Sequence, residues 1–280
     1  MEQRFFTHDG WRLGFEDHGT GPRVTVLMHG LLLDAGVNRA LARALAAAGH
    51  RVLLLDLLGH GTSEKPHRAS LHRMDFYAEQ VIALLDHLAI DEAVVGGVSL
   101  GADVALMAAQ AHPQRVRGLL LEMPVLENAT PFAAVLFVPV LVGMHYGGPL
   151  ARWGTRLLRS LPRTGIESLD SFLNAGSMRP EEIKAVLHGI LMGPLGPTED
   201  QRMTMQTPAL VIGHTGDLLH PVTDAARLAR QLPNATLLRA RSMLEMRARP
   251  ERLTDEIIRF TDAAWTARGV SASGVTEAGA

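Results

Sequence analysis

Residues 94–101 read Val94-Val95-Gly96-Gly97-Val98-Ser99-Leu100-Gly101. An apolar run ends in a serine flanked by Gly97 and Gly101, and residues 100–111 continue with helix-forming composition. G-x-S-x-G between a strand and a helix is the pattern of a nucleophile elbow. The serine sits on a strained tight turn, so its neighbours must be glycine or small. Such a turn stands the Ser99 hydroxyl at the C-terminal edge of a sheet, with the positive end of the next helix dipole aimed at it.

Working outward, strands and helices alternate. Residues 5–8 and 11–16 flank Asp9-Gly10, a strong hairpin turn pair. Residues 24–28 form an apolar run ending at His29-Gly30, which predicts a buried strand. Residues 41–48 are Ala- and Leu-rich and stop at Gly49, predicting a helix with a glycine C-cap. Residues 51–55 predict a strand. Tyr77, Val81, Leu84, Leu85 and Leu88 share one helical face. After the elbow and its helix, residues 116–121 give another strand. This alternation implies βαβ units and a parallel sheet with right-handed crossovers.

Beyond Glu122 the rhythm stops, and it resumes with a strand at 208–212, a helix at 222–232, a strand at 235–239 and a helix at 250–268. The domain reading is an α/β core of residues 1–123 and 206–268, a helical insertion at 124–205 and a disordered tail at 269–280. Residues 132–144 (FAAVLFVPVLVGM) contain Pro139 and fall short of the ~20 apolar residues a membrane span needs, so a buried or pocket-lining helix is expected. Gly147-Gly148-Pro149 and Gly193-Pro194-Leu195-Gly196-Pro197 look like hinges. Arg152, Arg156, Arg159 and Arg163 form a basic strip, read as a solvated helix face.

Composition narrows the function classes. The chain has 280 residues, 47 % hydrophobic and 20 % charged, which excludes global disorder. A net charge of −2 gives no basic excess to suit nucleic acid. With no cysteine, disulfides, thiolate chemistry and Cys-ligated metals are excluded. The N-terminus, MEQRFFTHDGW, lacks the apolar core of a signal peptide, and a cytoplasmic location is expected. Thirteen histidines form no H-E-x-x-H, and neither phosphate-binding glycine motif appears, so no metal and no nucleotide cofactor are expected.

Three further segments carry chemistry. His29-Gly30-Leu31 follows a strand, and its loop can give a backbone N–H to a developing oxyanion. Leu31 N–H and Leu100 N–H are the two candidate donors. Asp56 to Ser63 (DLLGHGTS) reads as a tight structural loop pinned by Asp56 and His60. Residues 210–221 (LVIGHTGDLLHP) place Asp217 just past a strand end, where it could orient an imidazole, with a helix beginning near Pro221.

In this order the four segments resemble the α/β-hydrolase family over nearly the whole chain, nearest to its cap-bearing esterase, lactonase and C–C hydrolase branch. The resemblance implies an eight-stranded, mostly parallel sheet with an inserted helical cap over the nucleophile. It implies Ser99 as nucleophile, Asp217 as triad acid and a cofactor-independent reaction. The family's histidine normally follows the last strand. Counting back from Pro250-Glu251, its place falls at Met243, and no histidine follows His220. A thioether has no useful basicity, and a serine hydroxyl without a base is a poor nucleophile.

Three readings of the missing base stand open. Another histidine supplies it: His220, three residues after Asp217, is favoured over His214, His145 and His188. Glu245 acts through water, against a plain salt bridge to Arg249 at i+4. Or the base is lost, and the fold binds a ligand or catalyses a lyase or cyclase reaction. Glu122 after its strand and Asp34 after Leu33 are read as structural carboxylates, Asp34 as a helix cap. Asp103 is expected to face a neighbouring loop. His29, Phe137 and Met144 are candidate substrate-lining residues, since pockets are mostly apolar with few polar groups, and His29 is read as hydrogen-bonding within its own loop rather than transferring a proton. The expected function is hydrolysis of a small to medium hydrophobic ester, lactone or thioester by Ser99. The alternative is a non-hydrolytic protein of the same fold. The expected partner is a small hydrophobic molecule, without nucleic acid and without a membrane span; the sequence does not set the oligomeric state.

Overall fold

The computed structural model describes residues 2–126, 130–217, 219–242 and 245–267. Its strands are β1 (Glu2–His8), β2 (Trp11–His18), β3 (Arg23–Met28), β4 (His50–Asp56), β5 (Ala93–Val98), β6 (Val116–Glu122), β7 (Ala209–His214) and β8 (Ala235–Ala240). Its helices are α1 (Arg39–Ala47), α2 (Met74–His87), α3 (Leu100–Ala111), α4 (Thr130–Tyr146), α5 (Gly148–Ser160), α6 (Glu167–Gly176), α7 (Pro180–Ile190), α8 (Glu199–Thr204), α9 (Val222–Gln231), α10 (Glu245–Ala248) and α11 (Glu251–Ala267). One sheet takes all eight strands in the order β1-β2-β4-β3-β5-β6-β7-β8. From β4 to β8 the pairing is parallel; β1 and β2 run antiparallel at one edge.

The hairpin forms because Asp9 (φ 48°) and Gly10 (φ 80°) both take the left-handed conformation that a two-residue primed turn needs. The central strands are mostly apolar on both faces, with the polar exceptions Thr25 in β3 and the residues at their ends, because both sheet faces are covered. In β3 and β4, Val26, Met28, Leu53 and Leu55 point into one core with Leu84, Val104 and Leu228. Leu27, Val52 and Leu54 alternate into a second core with Leu45, Leu253 and Ile257. Period-two side chains and helices on both faces produce the continuous hydrophobic runs seen in the sequence.

Between β6 and β7 the described chain is helical, from α4 to α8. Met178, Ile183 and Leu187 there pack against Leu31, Leu32, Phe137, Val140, Leu141 and Met144, joining the helices to the loop after β3. The stretch expected to be buried or pocket-lining lines the Ser99 cavity at Phe137 and Leu141 but is not buried throughout: α4 carries Pro139 inside it, and its outer face leaves Val135 76 % exposed. Among the described residues no single helix is long and apolar enough to cross a membrane. The expected tail at 269–280 and Met243 lie outside the described residues.

Candidate active site

β5 delivers Ser99 to the sheet edge. Its backbone takes φ 54°, ψ −115°, a left-handed conformation strained for any L-residue but glycine. Packing explains both motif glycines: a Cβ on Gly97 or on Gly101 would overlap the Met28 carbonyl oxygen of β3. The Ser99 N–H donates to the Glu122 carbonyl of β6 (2.8 Å), and the Ser99 carbonyl accepts the Ala102 N–H (2.9 Å) at the start of α3. The turn is thus clamped on both sides.

The loop after β7 brings the rest. Ser99 Oγ lies 2.9 Å from His220 Nε2, and His220 Nδ1 lies 2.9 Å from Asp217 Oδ2. Asp217 Oδ1 accepts the N–H groups of Leu219 (2.9 Å) and His220 (3.0 Å), so one carboxylate shapes the loop and orients the ring. Burial raises the Asp217 pKa, but the hydrogen bonds from the His220 ring and the loop amides outweigh it and hold the carboxyl below the usual aspartate range. With Nδ1–H held by the carboxylate, Nε2 presents its lone pair to the serine hydroxyl.

Ser99 and His220 open onto a cavity of about 120 Å³, lined also by Leu31, Leu100, Phe137, Leu141 and Leu187. Leu31 and Leu100 stand beside the serine; among the described residues neither backbone N–H has a protein acceptor. One carboxyl, Asp103 of α3, also borders this cavity. It is 2 % exposed and accepts the Val125 N–H (3.1 Å), as a residue facing a neighbouring loop should. Burial pushes its pKa well above the aspartate range.

Several expected site residues lie elsewhere. His29 is fully buried and does not line the cavity: Nδ1 donates to the Gly30 carbonyl (2.8 Å) and Nε2 accepts the Leu57 N–H (3.1 Å), so both nitrogens serve backbone. Burial lowers its pKa, in keeping with a neutral ring. Met144 packs on the Met178 cluster rather than on the cavity. His188 is exposed, and His145 stacks edge-on against Tyr146. Glu245 accepts from Arg252 (2.9 Å) and from the Arg241 N–H, which leaves it no role as a base; its ion-pair partner is Arg252, not the expected Arg249. Asp56 spends both oxygens on Ala35 and Thr62, and Asp34 caps the Gly36 N–H, as the sequence suggested.

Beneath the serine, Glu122 anchors a buried charge cluster. Arg247 of α10 places both guanidinium nitrogens 3.2 Å from its two oxygens, and His214 Nε2 lies 3.1 Å away. Burial raises the Glu122 pKa, but Arg247 and then His214 overcome it and hold it at about 2. His214 is buried, which lowers its pKa, and Glu122 reverses that to a net rise. His214 Nδ1 is also 3.1 Å from the Ser242 carbonyl. This histidine is therefore committed to the cluster. Nothing in the sequence marked Arg247, because its partner is 125 residues away.

The profile of the alpha/beta hydrolase fold family matches residues 24–242. The chain belongs to the α/β-hydrolase fold family. This α/β hydrolase is 38 % identical over 104 residues to a 2-hydroxymuconate semialdehyde hydrolase of Pseudomonas sp. strain CF600, covering 37 % of this chain and 33 % of that one. The matched stretch thus spans about a third or less of the first curated relatives. A 2-hydroxy-6-oxononadienedioate/2-hydroxy-6-oxononatrienedioate hydrolase of Burkholderia vietnamiensis is 29 % identical over 256 residues, covering 81 % of this chain and 82 % of that one. A thermophilic esterase from Thermogutta terrifontis superimposes with a TM-score of 0.72 at 25 % identity, covering 94 % of this chain and 99 % of that one.

Proposed function

We propose that this α/β hydrolase is a serine hydrolase of small to medium hydrophobic esters, lactones or thioesters, in which His220 supplies the base. The observation that carries the reading is the unbroken chain Ser99 Oγ–His220 Nε2, His220 Nδ1–Asp217 Oδ2, at 2.9 Å for both links. The nucleophile, base and orienting acid then come from the elbow and one loop, and no residue near position 243 is needed.

In the reaction, His220 Nε2 takes the Ser99 proton as Oγ attacks the acyl carbon. The carbonyl oxygen gains negative charge opposite the Leu31 and Leu100 N–H groups, which among the described residues have no protein acceptor to give up. As the tetrahedral adduct collapses, the His220 imidazolium returns its proton to the leaving oxygen or sulfur. Water then attacks the acyl-Ser99 ester with the same base, releasing the acid. Helices α4 to α7 act as a cap that excludes bulk water from these steps.

The cavity supports an uncharged acyl group. Its lining includes Phe137, Leu141, Leu187 and Ile190, and among the described residues no lysine or arginine. The dioate in the name of the Burkholderia relative denotes carboxylates, for which the described lining of this cavity offers no lysine or arginine. Size also limits the substrate: a cavity of roughly 150 Å³ holds a benzene, so about 120 Å³ suits a short acyl chain unless the cap moves. The test is a p-nitrophenyl butyrate time course on wild type and Ser99→Ala. Steady turnover lost in Ser99→Ala supports the reading. A single burst that stalls would show acylation without a working base, and no release above buffer would point to the non-hydrolytic alternative.

A further inference from the structure

We propose that helix α5, with the outer face of α4, docks on a lipid bilayer bearing anionic headgroups. The helix carries two stripes. Leu150, Trp153 and Leu157 recur at i, i+3 and i+7 and are 72 %, 61 % and 48 % exposed. Arg152, Arg156 and Arg159 recur at i, i+4 and i+7 on a second face, with Arg163 just beyond the helix end. The body holds α5 by its small-residue side, where Thr155 is the buried residue. An apolar, tryptophan-bearing stripe beside an arginine stripe is the arrangement of a helix lying in the plane of a membrane interface.

The charge pattern selects the partner. From Asn128 to Ile166 the chain holds these four arginines and no Asp or Glu. Among the described residues Arg152 lies 3.4 Å from Glu181 and Arg163 acts on the Asp170 carboxylate, while Arg159 and Arg163 donate to the Ser177 and Leu161 carbonyls. Anionic headgroups complement that stripe while the adjacent leucines and Trp153 enter the acyl region. Exposure of this kind is confined: among the described residues of 2–122 and 209–267, Phe5 is the one large apolar side chain classed as exposed. Exposed apolar side chains gathered on the insertion, those of α4 and α5 beside a stripe of one sign of charge, mark an interaction site.

Membrane crossing is a different arrangement and fits less well. The two apolar helices Ala134–Tyr146 and Gly148–Ser160 meet at 112°, so they form no straight span. Docking also places the bilayer against the helix whose inner side, at Phe137 and Leu141, lines the Ser99 cavity. Docking does not depend on hydrolysis, so it is tested separately.

The experiment is flotation of the full chain with vesicles of phosphatidylglycerol and phosphatidylcholine (3:7) against phosphatidylcholine alone, at 150 mM NaCl. Binding to the anionic vesicles is expected to weaken about fivefold for each of Arg152→Gln, Arg156→Gln and Arg163→Gln. Trp153→Glu and Leu157→Glu should abolish it, while Arg68→Gln on the sheet domain should leave it unchanged. Circular dichroism and p-nitrophenyl butyrate turnover verify that each variant is folded. Absence of flotation by wild type overturns the proposal, as does equal loss in Arg68→Gln. A dimer in sedimentation velocity that Trp153→Glu dissolves, without vesicle binding, would assign the face to a second copy of the chain instead.

Discussion

Replacing His220 by glutamine tests the core of the mechanism. The side chain keeps a polar end near Ser99 but offers no titratable nitrogen. Among the described residues the other candidate bases are engaged elsewhere: His214 is tied to Glu122 and Ser242, Glu245 to Arg252, and Glu122 to Arg247. Burial raises the Asp103 pKa, and its carboxyl accepts the Val125 N–H. Turnover should therefore fall by the full value of a general base, about 10⁴- to 10⁶-fold. At 1.36 kcal/mol per tenfold that is roughly 5–8 kcal/mol of transition-state stabilisation. Stability should change little, because the ring's own loop is shaped by Asp217 through backbone N–H groups that the substitution leaves in place. Initial rates on p-nitrophenyl butyrate, with a thermal melt on the same preparations, give both quantities. A His220→Gln enzyme that keeps turnover within tenfold of wild type, while Ser99→Ala has none, would refute the assignment and place the base elsewhere.

Four other outcomes are expected. Ser99→Gly should remove activity and raise stability by about 1 kcal/mol in urea denaturation, since glycine accepts φ 54° without strain. Arg247→Met should destabilise by about 3–5 kcal/mol, because it leaves Glu122 buried without its cation, whereas Glu122→Gln in the same background should recover part of that loss. The folded pKa of Glu122 is about 2 against an ordinary 4.5, so its contribution, about 3 kcal/mol, is fully present above pH 4.5 and is lost as pH falls through 2; denaturation from pH 7 to pH 2 should show that slope in wild type and a shallower one in Glu122→Gln. Asp103 has the opposite sign: its raised pKa costs stability as pH rises above 3.8, so Asp103→Asn should gain on wild type between pH 5 and pH 8, measured by the same urea curves.

Much of this molecule is legible locally. The alternating apolar runs and glycine stops set strands and helices to within about three residues: the strand read at Val24 to Met28 begins one residue earlier, at Arg23, and the one read from Phe5 begins at Glu2. The elbow is readable because its cause is short-range: Ser99 at positive φ and the Met28 carbonyl against Gly97 and Gly101 leave little choice of residue. The inner face of α4 was legible too, through Phe137. Its outer face was misread as buried, because hydropathy alone does not say which side of an all-apolar helix finds a partner.

Placement of Met144 and His29 shows the same limit. Both have the composition of a lining residue, yet Met144 packs on Met178, and His29 spends its nitrogens on Gly30 and Leu57. The sequence by itself determined a doubly covered parallel sheet with Ser99 on a strained turn and Asp217 past the end of a later strand. Only the tertiary structure decided that His220 meets Ser99 across 121 residues of chain, that His214 goes to Glu122 instead, and that Arg247 neutralises the carboxylate beneath the elbow. The reason is strand order. Because β5, β6 and β7 are neighbours in the sheet, their C-terminal loops converge, and residues remote in the chain come within hydrogen-bond distance.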